Sequence, residues 1–182
     1  MTPLFIEATS AVTHILDEDT RNLAQQAVSQ LEKLPYYLSK FKSQIEQNYT
    51  LAACLAISSA ELENAYEQSW ALFRQKEFLS ALPLALYCST FQCTEPRYAF
   101  LAASCLQRLR RPEEAVKVYK TVLQLDETHI AAAYRLGECL LELNDKEAAS
   151  HLFEWTITLS RGNFEHRQFQ DWAMQRLASI RK

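Results

Sequence analysis

Residues 134–153 read YRLGECLLELNDKEAASHLF, a helical pattern with Gly137 in its middle. The chain has two glycines in 182 residues, where ordinary usage would give roughly thirteen. A glycine inside a helix costs about 0.5–1 kcal/mol relative to alanine, so this one needs a reason. It has counterparts at a fixed step. Ser69, Ala103 and Gly137 are each 34 residues apart, as are Ala81, Ala115 and Ala149, and Leu72, Leu106 and Leu140. Cys105 and Cys139 keep the same step, with Ala71 one step earlier. Several independent positions share one register.

A helix–turn–helix period of 34 residues, with small residues at its eighth and twentieth positions, is similar to the tetratricopeptide repeat. Close approach of Gly137 to the second helix of its pair, near Ala149, is the expected reason for the glycine. Tyr119 and Phe153 take the aromatic twenty-fourth position of that repeat, and Ala85 departs from it. The expected fold is all-α: three tetratricopeptide-like helix pairs in a superhelical array, with extra N-terminal helices and a C-terminal capping helix. The expected divisions are an N-terminal extension over 1–61, repeats over 62–95, 96–129 and 130–161, and a cap over 162–182. Pro96 and Pro112 open the two helices of the second repeat, and Asn144-Asp145 makes the turn of the third. Pro83 falls inside a helix, so a kink or a late helix start is expected there.

Outside the repeats the register stops. Ala24, Ala27, Val28, Leu31 and Leu34 share one helical face that Pro35 ends, and Leu38, Phe41, Ile45 and Tyr49 share another. Asp19 or Thr20 is the expected cap of the first of these. Phe169, Trp172, Ala173, Leu177 and Ile180 make an amphipathic last helix, which stacked repeats need to cover their final apolar face.

Composition excludes several function classes. Residues 1–62 carry 4 basic and 7 acidic groups, residues 63–160 carry 10 and 13, and residues 161–182 carry 5 and 2. No segment has the Lys/Arg stripe that phosphate-backbone binding needs, so no nucleic acid is expected. No run of about 18 apolar residues suits a membrane span, and the first residues do not read as a secretory signal. Five cysteines without an export signal read as reduced thiols. The four histidines are scattered, with no metal-ligand spacing, and two glycines cannot build a phosphate loop. Neither catalysis, metal nor cofactor is expected. Cys105 and Cys139 read as core residues, and Arg108, Arg110 and Arg111 as a solvated turn.

What remains is a second stripe on the first helix of each pair, about 100° from the packing face. It consists of Tyr66, Trp70 and Phe73, then Phe100, Ser104 and Gln107, then Tyr134, Glu138 and Leu141, with Glu63 and Arg97 one turn before. Aromatic grooves with a few polar groups suit an extended peptide that inserts apolar anchors. The competing explanation is that Tyr66, Trp70 and Phe73 pack against the upstream helices.

The stretch 50–81, TLAACLAISSAELENAYEQSWALFRQKEFLSA, resembles the class II chaperones of bacterial type III secretion. Thr50, Ile57-Ser58-Ser59, Leu62-Glu63, Tyr66, Trp70, Phe73 and Phe78 carry the likeness, with Pro96-Arg97-Tyr98 and Gly137-Glu138-Cys139 further on. Paired glycines common in that family before the threonine are Asn48-Tyr49 here. The resemblance implies a bacterial cytoplasmic chaperone. It would hold an extended proline-containing segment of a hydrophobic, pore-forming translocator in the concave groove, and form a homodimer through N-terminal helices, without entering a membrane. The alternatives are a general tetratricopeptide scaffold or a co-regulator of a transcription activator.

Overall fold

The computed structural model describes residues 3–180, all of whose regular structure is helical. The helices in order are α1 (Pro3–Val12), α2 (Glu18–Glu32), α3 (Leu34–Lys40), α4 (Lys42–Glu46), α5 (Leu51–Cys54) and α6 (Ser59–Arg74). Next come α7 (Phe78–Phe91), α8 (Pro96–Arg108), α9 (Pro112–Leu125), α10 (Ile130–Glu142), α11 (Lys146–Ser160) and, after a 3₁₀ turn at Phe164–His166, α12 (Arg167–Ile180). The chain divides into two compact units, Met1–Leu109 and Arg110–Lys182.

The 34-residue step is visible in the backbone. Helices α7, α9 and α11 begin at Phe78, Pro112 and Lys146, and α6, α8 and α10 end at Arg74, Arg108 and Glu142. Two residues after each of those ends the chain turns left-handed, at Lys76 (φ 67°), Arg110 (φ 59°) and Asn144 (φ 64°). In two of these turns the capping bonds are resolved in full. Glu77 N–H donates to Leu72 O at 3.0 Å and Lys76 N–H to Phe73 O at 3.0 Å; Asp145 N–H donates to Leu140 O at 2.9 Å and Asn144 N–H to Leu141 O at 3.0 Å. This is the Schellman pattern, which usually employs glycine. The same geometry recurs at Asn48 (φ 67°) and Ala56 (φ 55°). Lysine tolerates that conformation poorly. Replacing Lys76 with glycine is therefore expected to raise unfolding stability by about 0.5–1 kcal/mol, as a higher urea midpoint.

Within the first unit, α7 is the centre. It is apolar on all sides, with Leu82, Pro83, Leu84, Ala85, Cys88 and Phe91 buried. Helices α1, α2, α6 and α8 all pack on it. Helix α7 starts at Phe78, ahead of Pro83, so the expected late start does not occur. Packing on every side holds the helix through the missing amide. The eighth and twentieth repeat positions meet directly, since Ser69 Oγ donates to Ala81 O at 2.9 Å with both residues fully buried.

The N-terminal segment differs from the sequence reading in three respects. Asp17, not Asp19 or Thr20, caps α2, accepting from Thr20 N–H at 2.7 Å; it alone precedes the helix with extended backbone. Pro35 lies in the first turn of α3 instead of ending α2 from outside, because its missing amide costs nothing at that position. The helix over 36–49 is broken at Phe41 into α3 and α4, and its buried residue is Tyr37. The Tyr37 ring meets Phe91 edge-on at 6.2 Å while its hydroxyl donates to Gln30 at 2.7 Å, which leaves Leu38 and Tyr49 exposed.

In the second unit, α10 packs on α9 and α11, and α12 covers α11. Pro112 opens α9, and Asp145 caps α11 by accepting from Ala148 N–H at 3.1 Å. Gly137 faces Phe153, one turn beyond Ala149. A Cβ at Gly137 would stand 2.8 Å from Phe153 Cε1. The close approach to α11 is thus made by an aromatic ring and not by Ala149, because the ring reaches back across the helix pair and occupies the space first.

His129 caps α10, its Nδ1 accepting from Ala132 N–H at 3.2 Å. Burial holds its pKa below the ordinary 6.5, partly offset by Asp126. The folded state therefore favours the neutral ring, and the unfolded chain takes up the proton first as pH falls. This stability contribution is present above the unfolded pKa and is lost as pH drops below 6.5 towards the folded value. Urea midpoints measured at about pH 7.5 and about pH 5.5 should differ less in His129→Asn, which keeps a capping acceptor but cannot titrate.

Candidate functional site

Two faces of helix α6 define the site. Leu62, Ala65, Ser69 and Leu72 are buried. Glu63, Tyr66, Trp70 and Phe73 form the stripe about 100° away. The upstream helices do not cover that stripe: α1 and α2 dock chiefly on α7, and Trp70 stays 38% exposed. The indole of Trp70 stacks on Phe73 at 5.4 Å with an interplanar angle of 7°, and Phe73 meets Phe78 edge-on at 5.1 Å. The Arg108 guanidinium lies over the Phe78 ring at 5.1 Å. The arginines at the end of α8 are thus not merely solvated: Arg108 is stacked, Arg110 reaches Glu142 at 3.5 Å, and Arg111 pairs with Glu114 at 2.6 Å.

The other end of the stripe is polar. Arg97 and Glu63, one repeat apart, form a two-pronged ion pair, with Nη1 to Oε1 at 2.9 Å and Nη2 to Oε2 at 2.6 Å. The guanidinium sits 5.1 Å from both the Tyr66 and Tyr98 ring centres, and Tyr98 donates to the same carboxylate at 3.3 Å. Burial, reinforced by the Glu63 charge, pushes the Tyr98 phenol up to about 12, so it remains a donor at any physiological pH. The hydrogen bond from Arg97 to Glu63 raises the arginine further. Sequence reasoning places Glu63 and Arg97 on the stripe but not against each other, although their spacing of one period is the available signal. On α8, Phe100 and Gln107 are half-buried and Ser104 is buried, its hydroxyl donating to Phe100 O at 2.8 Å.

In the second unit the same stripe on α10 is largely occupied by α12. Tyr134 is 4% exposed, with ring centres of Phe153, Phe169 and Trp172 at 5.7, 5.9 and 5.7 Å. Glu138 accepts from Arg135 at 2.9 Å, Arg176 at 2.8 Å and the Tyr134 hydroxyl at 3.1 Å. Leu141 and Ala131 are half-buried.

The remaining titratable groups are poor candidates for chemistry. Burial pushes the thiols of Cys88, Cys105 and Cys139 up to about 12, so none is a ready thiolate. No group of three or more His, Cys, Asp or Glu residues among the described residues could hold a metal ion. Among those residues no helix is long and apolar enough to cross a membrane. The arrangement is an all-α repeat fold bearing an open aromatic stripe with a fixed ion pair at one end.

Comparison with known proteins agrees with that class. The tetratricopeptide-repeat family matches residues 106–154. No curated protein matches the chain in sequence. Among solved structures, a type III secretion system complex from Aeromonas hydrophila is 20% identical, with a TM-score of 0.73 over 79% of this chain and 95% of that one. The translocator chaperone SycD of Yersinia enterocolitica is 18% identical, with a TM-score of 0.66 over 72% of this chain and 98% of its own. PcrH of Pseudomonas aeruginosa, bound to the chaperone-binding region of PopD, is 20% identical at a TM-score of 0.66, over 68% and 93%. The chain is all-α and has the tetratricopeptide fold of these translocator chaperones.

Proposed function

We propose that the protein is a cytoplasmic class II chaperone of bacterial type III secretion. It holds an extended, proline-containing segment of a hydrophobic translocator along the stripe of α6 and α8. The observation that carries this reading is the stacked Trp70–Phe73 pair, left open on a fold shared with SycD and PcrH. SycD has been crystallised with a peptide of the translocator YopD, and PcrH with chaperone-binding regions of PopD and PopB.

The physical logic comes from the client. A pore-forming protein carries apolar segments that would aggregate or insert prematurely if left free. An extended segment has no internal core to lose, so aromatic side chains can bury its apolar residues without first unfolding anything. The Glu63–Arg97 pair joins α6 to α8 and holds the stripe's two helices at a fixed spacing, which lowers the ordering cost of binding. No step of this activity needs catalysis or a cofactor. Self-association through the N-terminal helices is part of the same reading. Tyr36, Leu38 and Tyr49 are 59%, 48% and 57% exposed on α3 and the chain after α4, a surface suited to a second copy.

Co-expression tests the proposal. The protein should keep a co-encoded protein with long apolar stretches soluble, and should bind a peptide of the form Pro-x-Leu-x-x-Pro. Capture of soluble, folded proteins alone would instead assign it to the general scaffolds.

A further inference from the structure

A second cleft lies in the first unit, where the corner between α1 and α2 faces α6 and the start of α7. It encloses about 1060 Å³. Its wall along α6 and the α6 C-cap is formed by Asn64, Gln68, Ala71 and Gln75, beside Leu72. At 100° per residue these four cluster on one line, about 160° around the axis from Tyr66, Trp70 and Phe73. The cleft is therefore separate from the aromatic stripe, and an occupant of one leaves the other free.

Three features bear on what it takes. First, the wall is a row of amides. From Asn64 to Gln75 the helix rises about 16 Å, the length of about five extended residues. Gln68 Oε1 accepts from Thr20 at 3.0 Å, which fixes the side chain and leaves its NH₂ to point elsewhere. The side chains of Asn64 and Gln75 make no hydrogen bond within the described chain. Second, Ser80 lines the cleft, and its hydroxyl, which has no partner among the described residues, is reached by solvent from the cleft. An entering chain can hydrogen-bond this hydroxyl in place of water. Third, the rim is both acidic and apolar. Asp19 and Glu77 lie on it without an ion pair among the described residues. Arg21 donates to Ile15 O at 2.8 Å and Leu16 O at 3.1 Å, which holds the corner so that Leu16 stands 96% exposed beside the opening.

We propose that this cleft binds an extended segment of another polypeptide, about five residues long, with apolar residues flanked by lysine or arginine. The amides of Asn64, Gln68 and Gln75, with the Ser80 hydroxyl, pair with its backbone. Leu16 and Leu23 receive its apolar side chains, and Asp19 and Glu77 select its cations. This binding goes beyond the chaperone role of the stripe and does not depend on it.

Fluorescence anisotropy on the full chain tests this with a labelled, end-blocked Lys-Leu-Thr-Leu-Lys peptide and a Glu-Leu-Thr-Leu-Glu control. The basic peptide should bind and the acidic one should not. The double variant Asn64→Ala with Gln75→Ala, which favours the helix, should weaken binding about tenfold. Asp19→Asn with Glu77→Gln should remove the preference for the basic peptide. Trp70→Ala should leave binding unchanged, and a Pro-x-Leu-x-x-Pro peptide should not compete. Failure of the basic peptide to bind, equal binding by the alanine double variant, or loss on Trp70→Ala would each overturn the proposal. So would a change in sedimenting mass caused by Asn64→Ala and Gln75→Ala without peptide, because the occupant would then be a second copy of this chain. Loss of Pro-x-Leu-x-x-Pro binding with the basic peptide still bound would sink the stripe reading alone.

Discussion

Replacing Gly137 with leucine is expected to lower unfolding stability by about 3 kcal/mol, read as a shift of the urea midpoint. The smallest side chain already collides. A Cβ would stand 2.8 Å from Phe153 Cε1 and 3.1 Å from Cδ1 and Cζ. The Phe153 ring is fully buried and rests against Tyr134, which rests against Phe169 and Trp172 of α12. The ring therefore has no empty space to retreat into, and the strain passes along the aromatic row to the last helix. The helix-propensity gain of about 0.5–1 kcal/mol on removing a glycine is too small to offset this. Adding Phe153→Leu should restore part of the loss. Non-additivity between the two sites would mark them as neighbours. An unchanged midpoint in Gly137→Leu would refute the contact.

Trp70→Ala is expected to cost about 2–4 kcal/mol of affinity for a translocator segment, a loss of roughly 30-fold to 900-fold. The exposed face of the indole is free while its other face is stacked on Phe73. That combination presents a large apolar surface with little rotamer freedom left to lose. Phe73→Ala should cost a similar amount in affinity, and also some stability, because Phe73 packs against Phe78 as well. Isothermal titration with a Pro-x-Leu-x-x-Pro peptide checks both, with thermal unfolding run beside it. Full affinity in a folded Trp70→Ala would remove this residue from the binding surface.

The repeat register was legible because three independent columns of small and apolar residues keep one step, and helix starts at Phe78, Pro112 and Lys146 follow it. The turns were not legible in the same way. A search for glycine passes over Lys76, Arg110 and Asn144; at Lys76 and Asn144 the left-handed backbone is held by the capping hydrogen bonds around it. Helical geometry gave the direction of Tyr134 and Glu138 but not what lies on them, since α12 arrives from a distant part of the sequence. Tyr37 was missed because a half-polar residue in a two-turn helix has no periodic signature; its burial comes from meeting Phe91 and Gln30.

The place of α7 has a consequence for how the chain is made. This helix is apolar all round, and on its own it would be the segment most prone to stick to other chains. Of the four helices that enclose it, α1, α2 and α6 precede it in sequence, and α8 follows within a few residues. When the ribosome releases α7, three of its four walls are already synthesised. The chain is thus built so that its most apolar helix is the last to emerge among its packing partners but one.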